Sequence, residues 1–196
     1  MQEIVIATKN EGKVAEFKVL MEQLGLEFKC LKDFPELEEP VETGKTFAAN
    51  ARLKAQYYAK ATGAVCLADD SGLEVLSLKG APGVYSARYA GDEATAEENN
   101  ELLLKNMRMQ TRRNCRFFCA LAVANPQGKI LLESSGVCEG MLLHEAKGTG
   151  GFGYDPLFWS LELHKPLGEA TMEEKNGISH RAKAIKKLCS QWRKMK

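Results

Sequence analysis

Two adjacent carboxylates, Asp69 and Asp70 in the segment ADDSG (68–72), follow the apolar run AVCL. In an open α/β sheet, ligands gather beyond the ends of strands, so acids placed there are candidates for chemistry. Side chains alternate faces along a strand, and Asp69 and Asp70 meet one ligand only if the expected Asp-Ser-Gly turn relaxes that alternation. A third carboxylate, Glu42 in VETG, precedes a segment in which Asn50 and Lys54 stand at i and i+4 on one helix face. Acids from two separate segments with lysines beside them suit a magnesium–triphosphate site. Mg²⁺ takes few protein carboxylates, here Glu42 and Asp70, and completes its octahedron with water and phosphate oxygens.

Phosphate also needs donors. In TKNEGK (8–13), Thr8 and Asn10 are placed to cap a helix, Gly12 keeps the backbone open and Lys13 adds positive charge. A helix N-terminus built this way favours anions. The Walker A pattern G-x-x-x-x-G-K-[ST] is absent, which removes kinase-like and GTPase-like phosphate loops. A different glycine pattern, Gly148, Gly150 and Gly153 in GTGGFGYDP, has the dinucleotide-fingerprint spacing with Glu173 twenty residues beyond. That fingerprint requires a strand closing into a helix, whereas YDPLFW with Pro156 continues here as a strand or turn, so NAD binding is not supported. A last group of donors, Lys175, His180 and Arg181 in EEKNGISHR, gathers near the start of the final helix without an evident acidic partner. Such donors can hydrogen-bond an anion or a base carbonyl.

The elements that must position these residues alternate. EIVIAT (3–8) reads as a strand, and Val14, Phe17, Met21 and Leu24 form the core-facing stripe of a helix over 14–24. A strand is expected near 26–31, then a Pro- and Glu-rich connector over 33–44, a long Ala-rich helix over 46–63 ending on Gly63, and a buried strand over 64–72 running into the acids. Two apolar runs flank NPQG within 116–140, the mark of an antiparallel hairpin, so the sheet is expected to be mixed. The last helix spans 179–194, with Ser179 as its N-cap and Ala182, Ile185, Leu188, Cys189 and Trp192 on one face. No internal repeat or low-complexity linker divides the chain, and residues 1–196 read as one α/β domain.

Composition limits the partners. A chain of 196 residues with 44% hydrophobic and 27% charged residues is that of an ordinary globular protein, burying about 70% of the surface its unfolded form exposes. The net charge of +1, from 27 basic and 26 acidic residues, gives no global field for nucleic acid or a membrane surface. The N-terminal apolar run is too short for a signal-peptide core and no segment approaches a membrane span, so a cytoplasmic location is expected. Six cysteines lie scattered without a C-x-x-C pair and read as reduced, core-type thiols.

Taken in order, ATKNEGKVAEF, ETGKTFAANARLKA, ADDSGLEV, GAPGVYSARYAG, GTGGFGYDPLF and EEKNGISHR resemble the inosine triphosphate pyrophosphatases, enzymes of non-standard purine nucleoside triphosphates. The resemblance covers residues 7–181. It implies an elongated mixed sheet flanked by helices, two lobes with the active cleft between them, a homodimer, and Mg²⁺-dependent hydrolysis of ITP, dITP and XTP to the monophosphate and pyrophosphate. Family members often carry Glu just before Asn50, where this chain has Ala48 and Ala49, which puts more weight on Glu42 and Asp70 as the acids that share the metal. Carried onto this sequence, the resemblance makes Asp70 the base that orients water, supported by Asp69, with Ser71 on the substrate. The triphosphate falls to Lys54 and to Thr8, Lys9, Asn10, Glu11, Gly12 and Lys13, through their amides and the Lys13 ammonium. The purine falls to Phe152, stacked on the ring, with Gly153, Tyr154, Asp155, Lys175, His180 and Arg181. A 6-oxo purine gives these donors an acceptor, whereas adenine leaves buried donors unpaired at about 1–3 kcal/mol each. The alternative to turnover is a nucleotide-binding sensor with the same pocket.

Overall fold

The computed structural model describes residues 4–23, 25 and 27–194. Its first element, β1 (Ile4–Ile6), leads into α1 (Glu11–Gln23), β2 (Phe28–Cys30) and α2 (Phe47–Thr62). Then come β3 (Val65–Val75), α3 (Ala96–Asn106), β4 (Asn114–Ala124), β5 (Ile130–Leu142), β6 (Phe158–Ser160), β7 (Lys165–Pro166), α4 (Met172–Ile178) and α5 (His180–Lys194). The strands form one seven-stranded sheet in the order β2-β1-β3-β4-β5-β6-β7. β1 is parallel to both β2 and β3, whereas β6 is antiparallel to β5 and β7. β4 and β5 are joined through a turn in which Asn125 and Lys129 share a backbone bond, and a connection that short reverses the chain. The mixed, helix-flanked sheet expected from sequence is the observed one. No described helix is long and apolar enough to cross a membrane.

The chain folds as two compact units. The first comprises Met1–Asp70, Cys119–Gly136 and Ala182–Lys196; the second comprises Ser71–Phe118 and Val137–Arg181. In the first, Ile6 of β1, Phe17, Leu20 and Met21 of α1, Val65 and Leu67 of β3, Leu121 of β4 and Ile185 of α5 make a closed apolar cluster. The α1 stripe holds at Phe17 and Met21, with Leu20 added and Val14 only half-buried, while Leu24 lies outside the described residues, as do Glu3 and Leu26 at the ends of two expected strands. α5 buries Ala182, Ile185 and Leu188 as its spacing predicts, with Ala184 added and Cys189 and Trp192 half-buried at the margin. The second unit has its own cluster around Leu73, Leu103, Phe117, Leu142, Leu157 and Phe158, in which the Phe117 and Phe158 rings lie 4.6 Å apart.

Two elements differ from expectation in ways that matter for the site. The strand through ADDSG does not turn there but runs on to Val75. Leu73 N–H donates to Ser86 Oγ at 2.9 Å, and a Cβ on Gly72 would stand 2.3 Å from that oxygen, so a bare glycine lets the Ser86 segment close over the strand. Lys175, expected just before the last helix, lies on a separate short helix, α4, whose start is fixed by a capping box between Thr171 and Glu174. All six cysteines are free, five of them buried, and burial pushes the Cys115 thiol up to about 12.

Candidate active site

In the first unit, the acids and lysines meet. α2 starts at Thr46, whose side chain accepts from Ala49 N–H, and stops at Gly63 in the left-handed conformation. Ala51, Ala55 and Ala59 are fully buried on one side of it. On this helix Asn50 and Lys54 stand one turn apart, and both reach Asp70 of β3. Lys54 Nζ lies 2.9 Å from Asp70 Oδ1 and 2.8 Å from Glu42 Oε1, while Asn50 Nδ2 donates to Asp70 Oδ2 at 3.1 Å. Asp69 has a different set of partners: its Oδ1 is 3.0 Å from Lys13 Nζ and its Oδ2 is 3.9 Å from the Cys119 thiol. The alternation of a continuous strand thus gives the two aspartates separate lysines, and the turn expected to bring both to one ligand is absent.

Electrostatics follow from burial. Desolvation raises the Asp70 carboxyl above its ordinary value; Lys54 opposes this and Glu42 adds to it. Burial alone would lower the Lys54 ammonium, but Asp70, Asp69 and Glu42 outweigh it and hold the group well above its ordinary value. An ammonium clamped between two carboxylates, one of them on a partly exposed Glu42, marks a place built to hold positive charge. The donors there are all hard oxygens. Among the described residues no group of three or more His, Cys, Asp or Glu side chains is placed for a metal.

The loop over residues 8–13 caps α1 through Asn10, as expected. Asn10 C=O accepts from Val14 N–H and its Oδ1 accepts from Lys13 N–H at 3.0 Å, so Asn10 closes the first turn of α1. Thr8 Oγ1 in turn accepts from Asn10 N–H. Lys9 and Asn10 are exposed, with Glu11 and Gly12 opening the helix.

The second unit holds the other residues. Ser71 Oγ accepts from the guanidinium of Arg181, a residue with 1% of its surface exposed. His180 stacks on Phe117 at 5.0 Å with ring planes 15° apart. Lys175 is not without an acidic partner: its ammonium is bonded to Asp155 Oδ2, both side chains being buried, and sits 4.5 Å over the face of Phe152. The same Asp155 oxygen accepts from Phe152 N–H at 2.8 Å. The Tyr154 side chain belongs to the core, with its hydroxyl bonded to Ser86 C=O, and Gly153 C=O accepts from Asn100.

The glycine loop carries no helix behind it. Residues 143–154 run from β5 to a short 3₁₀ turn at Asp155–Leu157, which disposes of the dinucleotide reading on geometry. The glycines have an intramolecular reason instead. A Cβ on Gly148 would stand 2.1 Å from Gly168 C=O, and one on Gly151 would stand 2.1 Å from Asp155 Oδ2, both at positive φ.

Asn50 on Asp70, Asp155 as the partner of Lys175, and Phe117 under His180 are contacts that the sequence does not announce. The i, i+4 relation of Asn50 to Lys54 is the one signal for any of them.

The chain matches the Ham1 family over residues 4–191. It is 48% identical over 191 residues to the dITP/XTP pyrophosphatase of Bacillus anthracis, covering 96% of this chain and 95% of that one. It is 50% identical over 186 residues to the dITP/XTP pyrophosphatase of Desulforamulus reducens, covering 94% and 92%. Among solved structures, a HAM1 protein from Coxiella burnetii superposes with a TM-score of 0.89 at 38% identity, covering 99% of this chain and 100% of that one.

Proposed function

The chain belongs to the Ham1 family, and from that premise we infer that it is a pyrophosphatase of non-standard purine nucleoside triphosphates. It cleaves ITP, dITP, XTP and dXTP to the monophosphate and pyrophosphate, which keeps deaminated purines out of DNA and RNA. The observation that carries the chemistry is the buried Asp70 carboxylate held between Lys54 and Asn50 with Glu42 beside it. We assign Asp70 as the base that takes the proton from water as it attacks the α-phosphorus, a role typically worth about 10²- to 10⁴-fold in rate. Glu42 and Asp70 would hold Mg²⁺, which supplies charge neutralisation for the triphosphate when bound. Lys13, Lys54 and the amides over Thr8–Lys13 stabilise the charge that collects on pyrophosphate as it leaves.

On the purine, donors from Lys175, His180 and Arg181 suit the 6-oxo group and disfavour adenine. Phe152 keeps one ring face covered by Lys175, so stacking falls to the other. The reading includes a homodimer.

The test is incubation with ITP, XTP, GTP or ATP and Mg²⁺ with identification of products. IMP with pyrophosphate from ITP, and little turnover of ATP, is the expected result; orthophosphate with IDP, or tight ITP binding without turnover, overturns the reading.

A further inference from the structure

We propose that Asn50 is a positioning residue for this reaction: its carboxamide fixes the Asp70 carboxylate with one end and holds the Glu42 loop at a set distance with the other. The inference rests on the pyrophosphatase reading above. Asn50 is completely buried in the first turn of α2. Its Nδ2 donates to Asp70 Oδ2 at 3.1 Å, and its Oδ1 accepts from Gly44 N–H at 2.8 Å. One planar amide therefore spans from the proposed base to the backbone two residues beyond Glu42.

Lys54, a turn further on, takes the remaining Asp70 oxygen at 2.9 Å. With a donor on each oxygen, rotation of the carboxylate would break a bond in a buried place, where an unmade hydrogen bond costs most. Asn50 differs from Lys54 in carrying no charge, so it orients Asp70 without competing for the role of cation. Gly44 fits the same design. A Cβ there would stand 2.4 Å from Asn50 Oδ1 and 2.9 Å from Ala49 Cβ, so the loop reaches the amide only as glycine. Asparagine is also a poor helix former, and its placement on α2 is repaid through bonds that leave the helix.

Three variants separate the two ends of the amide. Asn50→Ala removes both bonds; Asn50→Asp keeps an acceptor for Gly44 but turns an oxygen on Asp70; Gly44→Ala displaces the amide from the loop side. With ITP as substrate, Asn50→Ala and Asn50→Asp should lower kcat about 10- to 100-fold with KM within about threefold, the loss typical of residues that orient a reacting group. Hydrogen exchange followed by NMR should find the Gly44 amide protected in the parent, unprotected in Asn50→Ala and still protected in Asn50→Asp. Variants that lose only thermal stability, with kcat per folded molecule unchanged, overturn the proposal. So does a Gly44 amide whose protection ignores Asn50→Ala. If Asn50→Ala fails to fold, the kcat of Asn50→Asp and of Gly44→Ala decides in its place: a fall supports the proposal and an unchanged value overturns it. A parent that releases no IMP and pyrophosphate defeats the functional reading instead, and the exchange result then still decides the Asn50 link.

Discussion

At the scale of residues, Asp70 is where the charge balance of the site can be read. Its carboxyl is raised by desolvation, against the pull of Lys54 and with the push of Glu42, so the folded chain binds its proton more tightly than the unfolded chain does. Linkage then gives a sign: the stability this group contributes is complete below the unfolded-state value, near 4, and is lost as pH rises through the higher folded value. Asp70→Asn is neutral throughout. Urea unfolding of the metal-free proteins from about pH 4 to about pH 7 should therefore show the variant gaining on the parent as pH climbs. A difference that stays flat, or moves toward the parent, would mean that the carboxyl is not raised. In the same variant most turnover should disappear while ITP binding is largely kept; a near-normal kcat would remove Asp70 from the role of base.

At the scale of elements, α2 supports the site from its N-terminus. Thr46 accepts from Ala49 N–H at 3.2 Å, and Asn50 makes the first full helical bond back to Thr46 C=O. Thr46→Ala should cost about 0.5–2 kcal/mol in urea unfolding and lower kcat, because the turn that frays is the one carrying Asn50. A stability loss with kcat unchanged would show that Asn50 is held by its own bonds alone. This helix is legible in the sequence because its signals are local: a Thr cap, an alanine face and a glycine stop. The β4–β5 hairpin is legible for the same reason, through NPQG. Helix α3 is not, although Thr95 and Glu98 form a capping box, because its buried face reduces to Asn99 and Leu103. The strand through ADDSG reads as a turn because Asp, Ser and Gly favour turns locally; the partners that override this, Lys13, Lys54 and Ser86, are distant in sequence. Distance hides the Asp155–Lys175 and Asn50–Asp70 pairs as well, each twenty residues apart.

At the scale of the whole molecule, the residues assigned to phosphate fall in one compact unit and those assigned to the purine in the other, with the boundary between Asp70 and Ser71. Each unit has its own apolar cluster. Independent cores would by themselves permit independent unfolding. β3, β4 and β5 each contribute residues to both units, so the chain passes from one to the other within continuous strands. The chain supplies the means to decide. Of its two tryptophans, Trp159 lies on β6 in the second unit and Trp192 on α5 in the first. Trp159→Phe leaves a fluorophore reporting on the first unit, and Trp192→Phe leaves one reporting on the second. If the 196 residues behave as one domain, each variant's fluorescence transition in urea coincides with its own far-UV transition, which reports on both units together. Fluorescence and far-UV midpoints that separate within one variant would show two folding units. Coincidence would mean that Asp70 and Ser71 are ordered in a single cooperative step, so a core substitution such as Phe158→Ala, expected to cost about 3–5 kcal/mol, would weaken the phosphate residues of the other unit as much as its own.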